Sequence, residues 1–225
     1  MNKEKDFSDK LELAGMGFAN GKAPGYPFTD EQKWDMVEEA QEAFGKFLDA
    51  LKVDWRNDPN SSDTPRRVAK AYVFQLWEGR YGTAPDITAF PSDGYDGIVQ
   101  ESNIPVTSMC SHHHLTIMGD VSVAYIPGKD GKVIGLSKLN RIVEYFGRRG
   151  AIQEQLTVAI HNAVDKICEG NQGVAVMVNA THNCVACRGV KHRGAAMQTA
   201  KLSGSFLHED AARSEFYKNI ELSLK

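Results

Sequence analysis

The sequence predicts an α+β fold built on an antiparallel sheet. Three observations predict it. Up to about residue 79 the apolar residues recur at helical spacing. From about 97 to 135 they alternate as in strands. Two more helical stretches then precede two more strand-like ones, and strands, two helices, strands is an α+β order.

Each element has a local reason. Residues 1–29 ("GFANGKAPGYPF" among them) bear glycine and proline with weak periodicity and are expected to form an irregular N-terminal arm. Over residues 30–95 a helical region is expected. In "TDEQKWDMVEEAQEAFGKFLDALKV", Trp34, Val37, Phe44, Phe47, Leu48 and Leu51 share a stripe, Thr29 or Asp30 supplies a cap, and acids fill the first turn. A second helix opens at "DTPRRVAKAYVFQLWEG", with Thr64 suited to the cap, Pro65 to the first helical position and Gly79 to the stop.

Residues 96–225 are expected to form the main domain. "GIVQESNIPVTSMC" and "DVSVAYIP" read as strands, with Val121, Val123 and Tyr125 on one face and "PGKDGK" as the turn that follows. Ser137 suits the cap of a helix striped with Leu139, Ile142, Val143 and Phe146. A further helix turns Ile152, Leu156, Ile160, Val164 and Ile167 inward. "GVAVMVNATH" and the run from "CVACRGV" to "MQTAKLSG" read as the last two strands, and a helix over about 209–222 closes the chain.

Composition narrows the function. The chain has 225 residues, 42% hydrophobic and 24% charged, with a formal net charge of −3. That profile carries no footprint of a nucleic-acid or membrane partner, so an anionic substrate must be drawn by local basic residues. The charged start "MNKEKDFSDK" has no apolar run behind it, and no secretory signal is expected. The four cysteines then read as thiols in a cytoplasmic protein, suited to metal binding or nucleophilic chemistry.

The reactive residues cluster in two places. "MCSHHHLTIMG" brings Cys110, His112, His113 and His114 together, and "THNCVACRG" adds His182, Cys184 and Cys187. Thiolate and imidazole suit zinc. Cys110, His113, Cys184 and Cys187 would make a closed structural site, whereas Cys110, His113 and Cys184 alone would leave a position for water, as catalysis requires. If "NCVACRGV" is a strand, Cys184 and Cys187 face opposite sides and cannot share a metal; a tight turn would reverse that.

"MCSHHHLTIMG", "VAYIPG", "VIGLSKLNRIVEYF", "QEQLT" and "THNCVACRG", in that order, resemble the GTP cyclohydrolase I family. The resemblance covers residues from about 96 onward and reaches weakly into "TPRRVAKAY". It implies the tunnel fold, an antiparallel sheet with two layered helices, closed into a barrel only by several subunits. It also implies a homodecamer of two pentamers with sites at subunit interfaces. The reaction implied is conversion of GTP and water to 7,8-dihydroneopterin triphosphate and formate, with Zn2+ as cofactor.

The same resemblance implies the roles. Cys110, His113 and Cys184 hold the metal; His112, His182 and Ser137 are catalytic; Glu154, Gln153, Lys138, Arg141, Arg188 and Lys70 bind substrate. These roles suit the chemistry. Attack of water on a purine C8 needs an activated water and a nearby histidine to protonate the ring nitrogen. A carboxylate can receive two adjacent guanine N–H groups. Cations at a helix start suit a triphosphate. Two positions depart from the family pattern: Ser111 stands where glutamate is usual, and His114 is not a typical residue at its place.

Overall fold

A computed structural model describes residues 27–224. All but the last three residues of the expected arm therefore lie outside the described residues.

Helix α1 spans Asp30–Ala50. Thr29 caps it reciprocally: its hydroxyl accepts from the Gln32 N–H, and the Gln32 amide oxygen accepts from the Thr29 N–H. Helix α2, Thr64–Ala71, starts one residue earlier than expected, with Asp63 at the cap position. It runs into a π-helical stretch, Tyr72–Leu76, breaks at Trp77, and resumes as α3, Glu78–Tyr81. Gly79 therefore lies inside α3 and stops nothing. A Cβ there would sit 2.1 Å from the carbonyl oxygen of Tyr145, so close backbone approach is what requires glycine.

The short strand β1, Ala89–Pro91, is followed by the long strands β2, Val99–Met109, and β3, Thr116–Ile126. Strand β4, Lys132–Ile134, pairs back antiparallel to β1. Helix α4, Leu136–Gly147, has Gly135 at its cap position, which moves Ser137 from the expected cap into the first turn. Helix α5 is Gln153–Ile167 and strand β5 is Gly173–His182.

The chain then departs from the expected strand at "NCVACRGV". Asn183–Ala186 is a helical turn, α6, and only Met197–Leu202 forms β6. Helices α7, Ser205–His208, and α8, Asp210–Ser223, end the chain. The main sheet is antiparallel throughout, in the order β2-β3-β5-β6.

The alternation of β3 sends its side chains into two cores. Val121, Val123 and Tyr125 face α4 and α5, packing with Ile142, Val143, Ile160 and Val164, all fully buried. Ala84 and Ile87, ahead of the sheet, join the same core. Ala124 and Ile126 face the other way, under Phe206, Phe216 and Ile220 of α7 and α8. This second cover reaches only one end of the sheet; at the other end Met118 is exposed on the uncovered face. Truncating a fully buried core residue such as Ile160 to alanine typically costs about 2–5 kcal/mol.

Two polar side chains buried among these elements have defined partners. The Tyr125 hydroxyl accepts from the Ile134 N–H at 2.7 Å, pinning β4 to β3, and desolvation pushes its pKa up to about 12. His161 of α5 is buried, with Nε2 2.9 Å from the Ser203 hydroxyl. Desolvation holds its pKa below the ordinary histidine value. Of the charges near it, Asp165 favours the imidazolium and Lys201 opposes it.

A depressed histidine pKa means that the unfolded chain binds the extra proton first. The stability His161 contributes is therefore complete above the ordinary histidine pKa of about 6.5 and falls away as pH drops toward the folded value. Urea midpoints measured in mildly alkaline and mildly acidic buffer should fall further in the natural protein than in His161→Gln. Equal falls in the two proteins would contradict this assignment.

Candidate functional site

The hairpin between β2 and β3 is the first half of the site. Met109 is the last residue of β2, and Cys110–Leu115 makes the reversal before Thr116. The Cys110 N–H bonds the Leu115 carbonyl, and the His114 N–H bonds the Cys110 carbonyl at 2.8 Å. Residues 111–113 thus form a tight turn rather than a strand, and Cys110 is buried at its root while His112, His113 and His114 are exposed. His114 adopts φ +52°, uncommon for a residue with a Cβ. Its ring packs against Trp77 at 5.2 Å and reaches toward Tyr72, lining an apolar cleft of about 590 Å³ between α1 and α2. The turn is thereby anchored to the helical region.

The second half comes from the end of β5. Ile117 of β3 pairs with His182, so β5 ends at the level of the hairpin. The α6 turn then carries Cys184 back beside Cys110, and the Asn183 side chain donates to the Thr116 hydroxyl at 2.5 Å. Donor atoms of Cys110, His182 and Cys184 lie within 4.8 Å of one another. Two thiols and an imidazole so placed form a metal-binding set. Desolvation raises the Cys184 pKa, and Cys110 beside it raises it further. A cation is what would let both thiols ionise.

The expected residues fall as follows. Cys110 and Cys184 come together. His113, expected as the third ligand, is not in that cluster, where His182 stands instead; its Nε2 lies 3.0 Å from an Arg188 guanidinium nitrogen. Arginine can only donate, so in this contact the His113 Nε2 accepts. His112 Nδ1 is 3.8 Å from the Cys110 sulfur. His182 places Nδ1 4.0 Å from the Cys184 sulfur and Nε2 2.7 Å from the Gln153 amide oxygen. Desolvation lowers its pKa, against the pull of the exposed Glu154 carboxylate.

Gln153, expected against substrate, is completely buried and bonded to protein groups. The tight turn at Asn183–Ala186 removes the strand argument that separated Cys184 from Cys187. Cys187 is nevertheless set apart, because it is exposed and its thiol donates to the Asn183 carbonyl at 2.8 Å.

Ser137, Lys138 and Arg141 lie elsewhere in the chain. Asn140 of α4 donates to Glu101, and the Lys138 ammonium donates to the Asp86 carbonyl. The opposite end of α4 leads to Ala151, whose N–H bonds the Met109 carbonyl beside Cys110. Glu101 and Met109 stand at opposite ends of β2, roughly 25 Å apart at ordinary strand rise. Arg141 lines a polar groove with Lys33, Glu78 and Glu144, and the Lys70 ammonium sits 5.4 Å over the Trp34 ring.

Known proteins resemble this chain over most of its length. A family model described as GTP cyclohydrolase I matches residues 40–221. A GTP cyclohydrolase 1 from Shewanella oneidensis is 39% identical over 191 residues, covering 84% of this chain and 85% of its own. One from Shewanella baltica (strain OS185) is 38% identical with the same coverage. A solved dihydroneopterin aldolase from Burkholderia thailendensis, bound to guanine, covers 51% of this chain at 14% identity and a TM-score of 0.34, a likeness too slight to inform the fold.

The side-chain positions predict metal content directly. Cys110→Ala and Cys184→Ala should each lose most of the metal bound by the purified protein, and Cys187→Ala should keep it. Elemental analysis of the three variants checks this, and metal loss from Cys187→Ala would restore the closed structural site.

Proposed function

The chain belongs to the GTP cyclohydrolase I family and is an enzyme that converts GTP to 7,8-dihydroneopterin triphosphate; we propose that it does so with zinc held by Cys110, His113 and Cys184. The observation that carries this reading is the pair of thiols brought together with imidazoles where β2, β3 and β5 end. Catalysis needs an open position on the metal, so only one of the two nearby histidines is to ligate. His113 has the family's Cys-x2-His spacing on a tight turn with Cys110. His182 is left for proton transfer.

Bound zinc supplies a Lewis acid that activates water and polarises the formyl oxygen. The rest falls to the chain's own side chains. His112 protonates the imidazole-ring nitrogen as C8 is attacked. Glu154, exposed at the start of α5, receives the two guanine N–H groups. His182 and Ser137 move protons in the later opening and reclosure of the rings. Arg188, Lys138, Arg141 and Lys70 hold the triphosphate, and release of Arg188 from His113 would couple phosphate binding to the metal turn.

This assignment requires more than one chain. Ser137 and Lys138 stand at the far end of β2 from the thiols, so one complete site draws them from a neighbouring subunit. Other features support self-association. Strands β2 and β6 have no partner on their outer edges among the described residues, and an open edge invites pairing. Trp34 and Phe47 of α1, with Leu51 at its C-cap, leave much of their apolar stripe exposed. We assign a homo-oligomer, a decamer of two pentamers by family resemblance.

Among the described residues no helix is long and apolar enough to cross a membrane. All four cysteines are free thiols, which suits a reducing cytoplasm.

Incubation of the zinc-loaded protein with GTP should release formate and a pterin that fluoresces after oxidation. No turnover with zinc in place would overturn the reading. His113→Ala should lose zinc and His182→Asn should retain it; the reverse result would exchange their roles. Mixed oligomers of Cys184→Ala and Lys138→Ala, each nearly inactive alone, should regain activity, since some interfaces then carry two intact halves. Absence of any regain would place the site within one chain.

A further inference from the structure

The completely buried Gln153 sits at the start of α5 and reaches between β5 and β6. Its side-chain nitrogen lies 3.1 Å from the Val178 carbonyl, 2.9 Å from the Met197 carbonyl and 3.1 Å from the Thr199 hydroxyl. Carbonyl oxygens only accept, so the amide cannot be flipped without facing oxygen with oxygen. The Gln153 amide oxygen is therefore the atom 2.7 Å from His182 Nε2. An amide oxygen also only accepts, so Nε2 must carry the hydrogen.

The hydroxyls around it fix the same direction. Thr157 donates to the Gln153 backbone carbonyl at 2.8 Å, one turn back on α5. Its own oxygen, 2.6 Å from that of Thr199, must then receive the Thr199 hydrogen. The Gln153 amide has two hydrogens for its three acceptors, so the Thr199 oxygen shares one of them with a strand carbonyl. Gln153, Thr199 and Thr157 are thus linked in a ring of hydrogen bonds around the buried amide.

We propose that Gln153 is a positioning residue that holds the His182 ring with its hydrogen on Nε2 and so turns Nδ1 toward the Cys110–Cys184 pair. This rests on the reading of the site as a GTP cyclohydrolase centre, but it gives Gln153 a role different from the guanine contact that the family resemblance implies. A residue that contacts guanine contributes to substrate binding. A residue that sets a tautomer contributes to the proton-transfer step and leaves binding alone.

Two measurements test it. In metal-free protein with 15N-labelled histidine, at mildly alkaline pH, the resonances missing from His182→Asn should report an Nε2–H ring. In Gln153→Met they should shift toward a tautomer mixture. A wild-type Nδ1–H ring, or an unchanged tautomer in Gln153→Met, would overturn the proposal.

In the zinc-loaded enzyme, Gln153→Met should lower kcat about 10- to 100-fold, as loss of such supporting partners does, with KM for GTP unchanged. A raised KM at unchanged kcat would return Gln153 to the substrate. Thr199→Val should lower kcat in the same direction and Thr199→Ser should restore it, which separates orientation from a folding defect; equal rates in the two would overturn the ring. Failure of the wild-type enzyme to turn over GTP would sink the functional reading while leaving the tautomer measurement intact.

Discussion

Ile117 faces His182 across one side of β3, and Thr116 faces Met109 across the other. This double register is the constraint on which the site depends. It ends β2 and β5 at the same level, so the loops that leave them bring Cys110 and Cys184 together from 74 residues apart in sequence. A slip of one residue on either side would turn Cys110 or His182 to the opposite face. The two buried cores hold the register, because β3 sends alternate residues into each of them.

A second layer of order acts on side chains. Placing His182 beside two sulfurs is the work of the backbone, but which nitrogen it presents is set by Gln153 and, through it, by carbonyls of β5 and β6. Helix α5 therefore does two tasks in its first turn. It buries Gln153 under the sheet and leaves the neighbouring Glu154 exposed. Adjacent residues on a helix point about 100° apart, which lets one serve the protein and the other a ligand.

Much of this was legible in the sequence. The stripes Leu139–Phe146 and Leu156–Ile167 and the alternation of Val121, Val123 and Tyr125 report a periodic environment, and those residues are buried as their spacing implies. The failures came where spacing is silent. "NCVACRGV" looks like a strand because valine and cysteine alternate with small residues, yet the chain must reverse there to bring Cys184 back. Gly79 has the composition of a stop, but its reason is the Tyr145 carbonyl, far along the chain. Ser137 looked like a cap, and Gly135, two residues earlier, occupies that place. Gln153 gave no sign of burial, because the groups that satisfy its amide lie on strands 25 to 46 residues away. The pairing of Cys110 with Cys184 was suggested by ligand chemistry and by resemblance, whereas the contact between His113 and Arg188 had no signal in the sequence.

The unequal cover of the sheet has a dynamic consequence. Around Ala124 and Ile126 both faces are sealed, one by α4 and α5 and the other by α7 and α8. Around Met118 only one face is. Local opening requires less apolar surface to be exposed at the second end, so thermal fluctuations concentrate there. The thiols, the three-histidine turn and Arg188 all belong to that softer end. Stiffness thus decreases along the length of the same strands, and the groups that must change partners during a reaction sit where change is easiest.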